Sequence, residues 1–159
     1  MLYETGKDRV KQSAVCEIVR SYLSRTLSIK ETDGEEAMSH DFEITCGDSL
    51  VMIGEVKCRN YSEEFFLSQG WLLSSERVQA LGETYYEKGM PVFYGFMTSD
   101  GAVYLITHES LLLKWGSLDA APNRYMKNDH GTKPTNETGR IVPLNMMTKV
   151  NDATTRRKP

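Results

Sequence analysis

The sequence predicts one mixed α/β domain in which helices pack on the faces of a β-sheet. Three observations lead there: an apolar stripe of helical period near the N-terminus, two pairs of β-rich segments each joined by a tight-turn composition, and a second helical segment lying between the pairs. The order is helix, strand, strand, helix, strand, strand, long loop, short strand.

From Lys7 to about Leu27, Val10, Ala14, Ile18 and Tyr22 recur every four residues, and Val15, Val19 and Leu23 widen the stripe into the face of a helix. Residues 30–40, KETDGEEAMSH, are polar and acidic around Gly34 and read as an exposed connection. DFEITC and SLVMIGEVKC flank Gly47-Asp48, a hairpin signal, and the second strand is apolar enough to be buried on both faces. SEEFFLSQGWLLS fits a short helix or a loop with anchoring aromatics equally well. SERVQALGETYYEK, Ser75 to Lys88, reads as a helix capped by Ser75, with Val78, Leu81 and Tyr85 on its apolar face and Gly89 and Pro91 ending it. PVFYGFMT and AVYLIT, around Ser99-Asp100-Gly101, form a second hairpin-like pair. HESLLLKW fits a short helix, residues 116–139 a surface excursion, and GRIVPL a last strand. The domain so read spans 1–148, with a core at about 7–112, an excursion and terminal strand at about 113–148, and a polar basic tail, 149–159.

At 159 residues, 40% hydrophobic and 26% charged, the chain can bury a core, which excludes wholesale disorder. No apolar run reaches the roughly 18 to 20 residues of a membrane span, and the start lacks the apolar stretch of a secretory signal, so no membrane partner and a cytoplasmic location are expected. Cys16, Cys46 and Cys58 are an odd set without CxxC or zinc-finger spacing, which argues for reduced core thiols. The net charge of -3 divides unevenly: residues 1–110 carry 10 Lys+Arg against 18 Asp+Glu, net -8, and residues 111–159 carry 9 against 4, net +5. The second part, including Arg156, Arg157 and Lys158, is the better polyanion contact.

The chemistry lies in HDFEITCGDSLVMIGEVKCR. A turn at 47–49 places Asp41 opposite Glu55, with Cβ atoms about 4.5 to 5.5 Å apart. Glu55 and Lys57 share a strand face and Val56 points to the other. Two adjacent carboxylates repel unless a cation sits between them, and oxygen ligands at that separation suit Mg²⁺ or Mn²⁺. A lysine beside them can hold a water nucleophile or steady charge on a phosphoryl group. Glu17, three residues after Ala14 and seven after Val10, edges the buried face of the first helix and is a further candidate acid. A solvated salt-bridge cluster is the competing reading, against which the apolar character of SLVMIGEVKC argues.

These residues, Asp41 followed by Glu55-Val56-Lys57 across two strands and preceded by a helix with a glutamate, resemble the PD-(D/E)XK nuclease superfamily, and within it small phage-type endonucleases and Holliday-junction-resolvase-like proteins. His40-Asp41 stands where the motif has Pro-Asp. The resemblance implies a restriction-endonuclease-like core of helix, three-strand meander, helix and strand. It implies Asp41, Glu55 and the Val56 carbonyl as ligands of Mg²⁺ or Mn²⁺, Lys57 assisting the attacking water, and Glu17 as the helix acid. Arg59, on the face of Lys57, and Arg77 and Gln79, on the helix after the motif, are the candidate nucleic-acid contacts. Trp71, Phe65 and Phe66 either stack on bases or pack on the sheet. The function expected is metal-dependent hydrolysis of DNA phosphodiesters, possible substrates including branched or phage DNA, by a chain that resolvase-like relatives imply to be a homodimer. A catalytically inert nuclease-fold module binding nucleic acid or a protein partner is the alternative.

Overall fold

The computed structural model describes residues 6–32, 41–121 and 139–151. Helix α1, Gly6–Tyr22, is followed by a meander of β1, Ser28–Glu31, β2, Phe42–Cys46, and β3, Ser49–Cys58. After it come α2, Glu63–Gln69, β4, Trp71–Ser74, and α3, Ser75–Thr84. β5, Val92–Met97, β6, Val103–Thr107, α4, His108–Lys114, β7, Ala120–Ala121, β8, Gly139–Val142, and β9, Thr148–Lys149, complete the order. Six strands form one sheet in the order β1-β2-β3-β5-β6-β9, and β4-β8-β7 form a smaller one. β3 and β5 are parallel and the other pairs of the large sheet antiparallel, so the sheet is mixed.

Strand alternation divides the core in two. Val56, Phe42, Ile44 and Phe93 point to the face covered by Val15 and Val19 of α1. Ile53, Tyr94 and Phe96 point to the other, against Val78 and Leu81 of α3, Leu111 of α4, and Trp71 and Leu73 of β4. Gly54 is required by this packing. It lies beside Phe93 across the parallel ladder, and a Cβ there would fall 2.1 Å from the Phe93 ring.

The β2–β3 hairpin reaches its register by a different route from a three-residue turn. Gly47, with φ of 61°, and Asp48 form a two-residue turn, and a bulge between Ile44 and Thr45 inserts the extra residue. Beyond the bulge Ile44 pairs with Met52 and Phe42 with Gly54, which brings the start of β2 to Glu55.

Several expectations are corrected. α1 stops at Tyr22 rather than Leu27, because residues 23–27 turn the chain into β1; Leu27 N–H closes a turn on Ser24 O. β1 takes Lys30 and Glu31 out of the expected loop. The cap of α3 is Ser74, whose Oγ accepts from Arg77 N–H at 3.3 Å, and the helix ends at Thr84 before one 3₁₀ turn. GRIVPL supplies β8 of the smaller sheet, pairing with β4. The tail does not begin at 149: Lys149 pairs with Tyr104, Val150 is buried, and Asn151 Oδ1 accepts from Val103 N–H at 2.7 Å. Cys16 is buried, but Cys58 is half-buried and Cys46 exposed beside the turn. His40 and the cations at 156–158 lie outside the described residues.

Candidate active site

Asp41 stands at the entry of β2. Its N–H donates to Gly54 O at 2.9 Å and its carbonyl accepts from Thr32 N–H at 2.9 Å, which fixes the backbone between β1 and β3. Its Oδ2 accepts from Val56 N–H at 3.3 Å. The N–H and C=O of one strand residue lie on the same edge, so the Val56 carbonyl also lies on the Asp41 side of β3.

Glu55 occupies the fully buried stretch of β3, beside Tyr94 in the parallel ladder. At 4% exposure it is the one buried Asp, Glu, Lys or Arg among the described residues. A carboxylate there requires cations, because its own desolvation is expensive. Arg77 Nε donates to Glu55 Oε1 at 2.5 Å, and Lys57 Nζ lies 3.9 Å from the same oxygen. The Ser74 cap sets the first turn of α3 and aims Arg77 at the sheet, one helical turn from buried Leu81. The Lys57 side chain is 45% exposed, so its ammonium is open to solvent beside a buried carboxylate.

Burial pushes the Asp41 carboxyl up to about 6; Lys57 pulls against this, Glu55 adds to it, and the Val56 N–H and Arg77 also lower it. Asp41 is thus a carboxyl whose ionised form is held back by desolvation, in a position where added positive charge would release its proton. Two carboxylates and a strand carbonyl are a hard-oxygen donor set, and Mg²⁺ commonly takes one or two carboxylates and keeps its waters. The residues present fit such an ion.

Of the expected site residues, Asp41, Glu55, Val56 and Lys57 come together, and Arg59 follows one residue past β3, exposed, with its N–H donating to Met97 O at 2.9 Å. Arg77 also arrives, but on the Glu55 carboxylate rather than as an outward phosphate contact. The structure does not bring Glu17 to this cluster. α1 packs on the face opposite Glu55, and Glu17 is 74% exposed and paired with Arg20. Among the described residues no group of three or more His, Cys, Asp and Glu forms, and Glu17 stands apart from Asp41 and Glu55. Gln79 points away as well, with Nε2 on Glu83 Oε2 at 3.0 Å. Trp71 and Phe66 are buried around Phe96, whereas Phe65 is exposed.

Sequence reasoning did not find the Tyr94–His108 pair behind the cluster. Tyr94 Oη and His108 Nδ1 are 2.7 Å apart, both residues are buried, and Tyr94 Oη also donates to Val78 O at 3.4 Å, next to Arg77. Desolvation lowers the His108 pKa, while Glu87 raises it. The available signal was the Tyr inside an otherwise apolar strand, since a buried hydroxyl needs a partner.

No family model and no curated protein matches the sequence. Solved structures match its fold. The Holliday junction resolvase Hjc of the archaeal hyperthermophile Archaeoglobus fulgidus superposes with a TM-score of 0.52 at 12% identity, over 89% of this chain and 94% of that one. D212, a nuclease from a fusellovirus, does so with a TM-score of 0.54 at 11% identity, over 94% of this chain and 90% of that one. The likeness is one of fold: a mixed sheet flanked by helices, restriction-endonuclease-like. Among the described residues no helix is long and apolar enough to cross a membrane.

Proposed function

We propose that this chain is a divalent-metal-dependent endonuclease that hydrolyses DNA phosphodiester bonds. The observation that carries the reading is Asp41 Oδ2 on the Val56 N–H beside buried Glu55, with Lys57 on the same face, in a nuclease fold. Asp41, Glu55 and the Val56 carbonyl are the residues that would hold Mg²⁺ or Mn²⁺. Bound there, the ion would polarise a phosphoryl oxygen and lower the pKa of a water. Lys57 orients the attacking water through its exposed ammonium and offsets charge growing on the phosphoryl oxygens. Arg77 fixes the Glu55 rotamer from behind, and Arg59 takes a neighbouring phosphate. Branched DNA is among the substrates, a homodimer suits the two symmetric strands of a junction, and the cytoplasm, a host's if the chain is phage-encoded, is the compartment.

A second reading, an inert nucleic-acid-binding or partner-binding module, is favoured by Arg77, a protein cation already seated on Glu55 Oε1. Cleavage of linear duplex, single strand, supercoiled plasmid and four-way junction in Mg²⁺, Mn²⁺ or EDTA separates the two. Metal-dependent products absent from Lys57→Ala support the nuclease; Mn²⁺ binding without cleavage of any substrate supports the module.

A further inference from the structure

We propose that Tyr61 and Phe65 form a stacking platform for unpaired nucleobases at the mouth of the site, a reading that rests on the nuclease assignment above. The two rings stack on each other with centroids 4.2 Å apart and planes 16° apart, although they are 55% and 40% exposed. An aromatic pair in solvent presents a flat apolar face that every base can cover.

The platform stands on the same side of the sheet as Lys57. Phe65 packs edge-on against Phe66 at 5.3 Å, Phe66 lies 4.7 Å from Phe96, and Phe96 is the ladder partner of Lys57. Along the chain Tyr61 is four residues beyond Lys57, a reach of at most about 14 Å. Exposed Arg59 lies between them. A strand whose scissile phosphate sits at Lys57 thus meets a guanidinium and then the aromatic pair within a few nucleotides, which matches the alternation of phosphate and base.

The mount is rigid. Arg59 N–H donates to Met97 O at 2.9 Å, Ser99 N–H to Tyr61 O at 2.8 Å, and Glu63 N–H to Asp100 Oδ1 at 3.0 Å, so the turn after β5 holds the backbone on both sides of Tyr61. The Glu63 carboxylate, which would repel a phosphate, pairs with Lys149 Nζ at 2.8 Å and accepts from Tyr104 Oη. Glu64 and Asp100 remain as exposed acids, so the nucleic acid must approach from the Arg59 side. Base stacking requires bases free of a duplex, so the platform selects single-stranded, flapped or branched DNA over plain duplex.

Fluorescence anisotropy in EDTA, where binding is read without cleavage, tests this with a short labelled oligodeoxythymidylate and a strand of equal length made of abasic sites. The wild type is expected to bind the intact strand about tenfold or more tighter. Tyr61→Leu/Phe65→Leu, which keeps apolar contact with Phe66 and loses both π-faces, is expected to bind the two strands alike with an unchanged thermal midpoint. Tyr61→Leu alone, at the more exposed ring, should move in the same direction. Retained preference in the double variant, or none in the wild type, overturns the platform. Plasmid nicking by the wild type in Mg²⁺ is read in parallel: nicking without base preference removes the platform and keeps the nuclease, and base preference without nicking does the reverse.

Discussion

Arg77 Nε lies 2.5 Å from Glu55 Oε1, tying the one buried carboxylate of β3 to the first turn of α3. The sheet supplies a charge that cannot stand alone in a core, and the helix supplies its partner. The orientation of Glu55 therefore depends on the packing of Val78 and Leu81 as much as on β3 itself.

Removing only the cation is expected to be severe. Arg77→Met leaves Glu55 buried with Lys57 as its remaining ion-pair partner among those described, and should destabilise the fold by about 3 kcal/mol in urea titration. Glu55→Gln/Arg77→Met should recover most of that loss. A single variant within about 0.5 kcal/mol of wild type, the range of ordinary surface substitutions, would show that the contact carries little stability.

The pH dependence of metal binding follows from Asp41. Its folded pKa is raised from 3.8 to about 6, so the stability gained from its proton is complete below 3.8 and is lost as pH rises to about 6. A metal ligand must be ionised, which opposes binding over the same window. Mn²⁺ affinity measured by calorimetry should rise from pH 5 toward 6 and level off above about 7. Binding below pH 6 should release a proton. Asp41→Asn should bind more weakly and lose this slope; an unchanged slope would remove Asp41 from the ligand set.

Gly54→Ala should lower stability by about 1 to 3 kcal/mol, because the new methyl meets the Phe93 ring and one strand must shift. Since Glu55 is the next residue, cleavage should fall with it. Adding Phe93→Leu, which clears the ring, should restore part of the stability; failure to do so would place the strain elsewhere.

How much of this was legible follows from where each signal lives. β3 could be read to its ends, and Glu55 and Lys57 to one face, because period-two alternation and a Gly-Asp turn are local, whereas the bulge that brings Asp41 to Glu55 has no such signal. β1 escaped, since Ser-Ile-Lys-Glu has a single buried side chain and becomes a strand only through its ladder with β2. The pairing of β4 with β8 joins distant segments, which no local pattern reports. Glu17 shows the limit of a helical wheel: the wheel placed it at the edge of the apolar stripe, but only packing reveals that α1 covers the face away from Glu55. Arg77 was marked, and its direction inward awaited the Ser74 cap.

The most direct test is cleavage of labelled duplex and four-way junction by wild type, Asp41→Asn and Lys57→Ala, each in Mg²⁺, Mn²⁺ and EDTA. Lys57 is solvent-facing, so its variant should keep the wild-type unfolding midpoint. Wild-type products that require the metal, with losses of about 10² or more in both variants, are the predicted result. Cleavage that survives in folded Lys57→Ala at the wild-type rate, or proceeds in EDTA, would contradict the account.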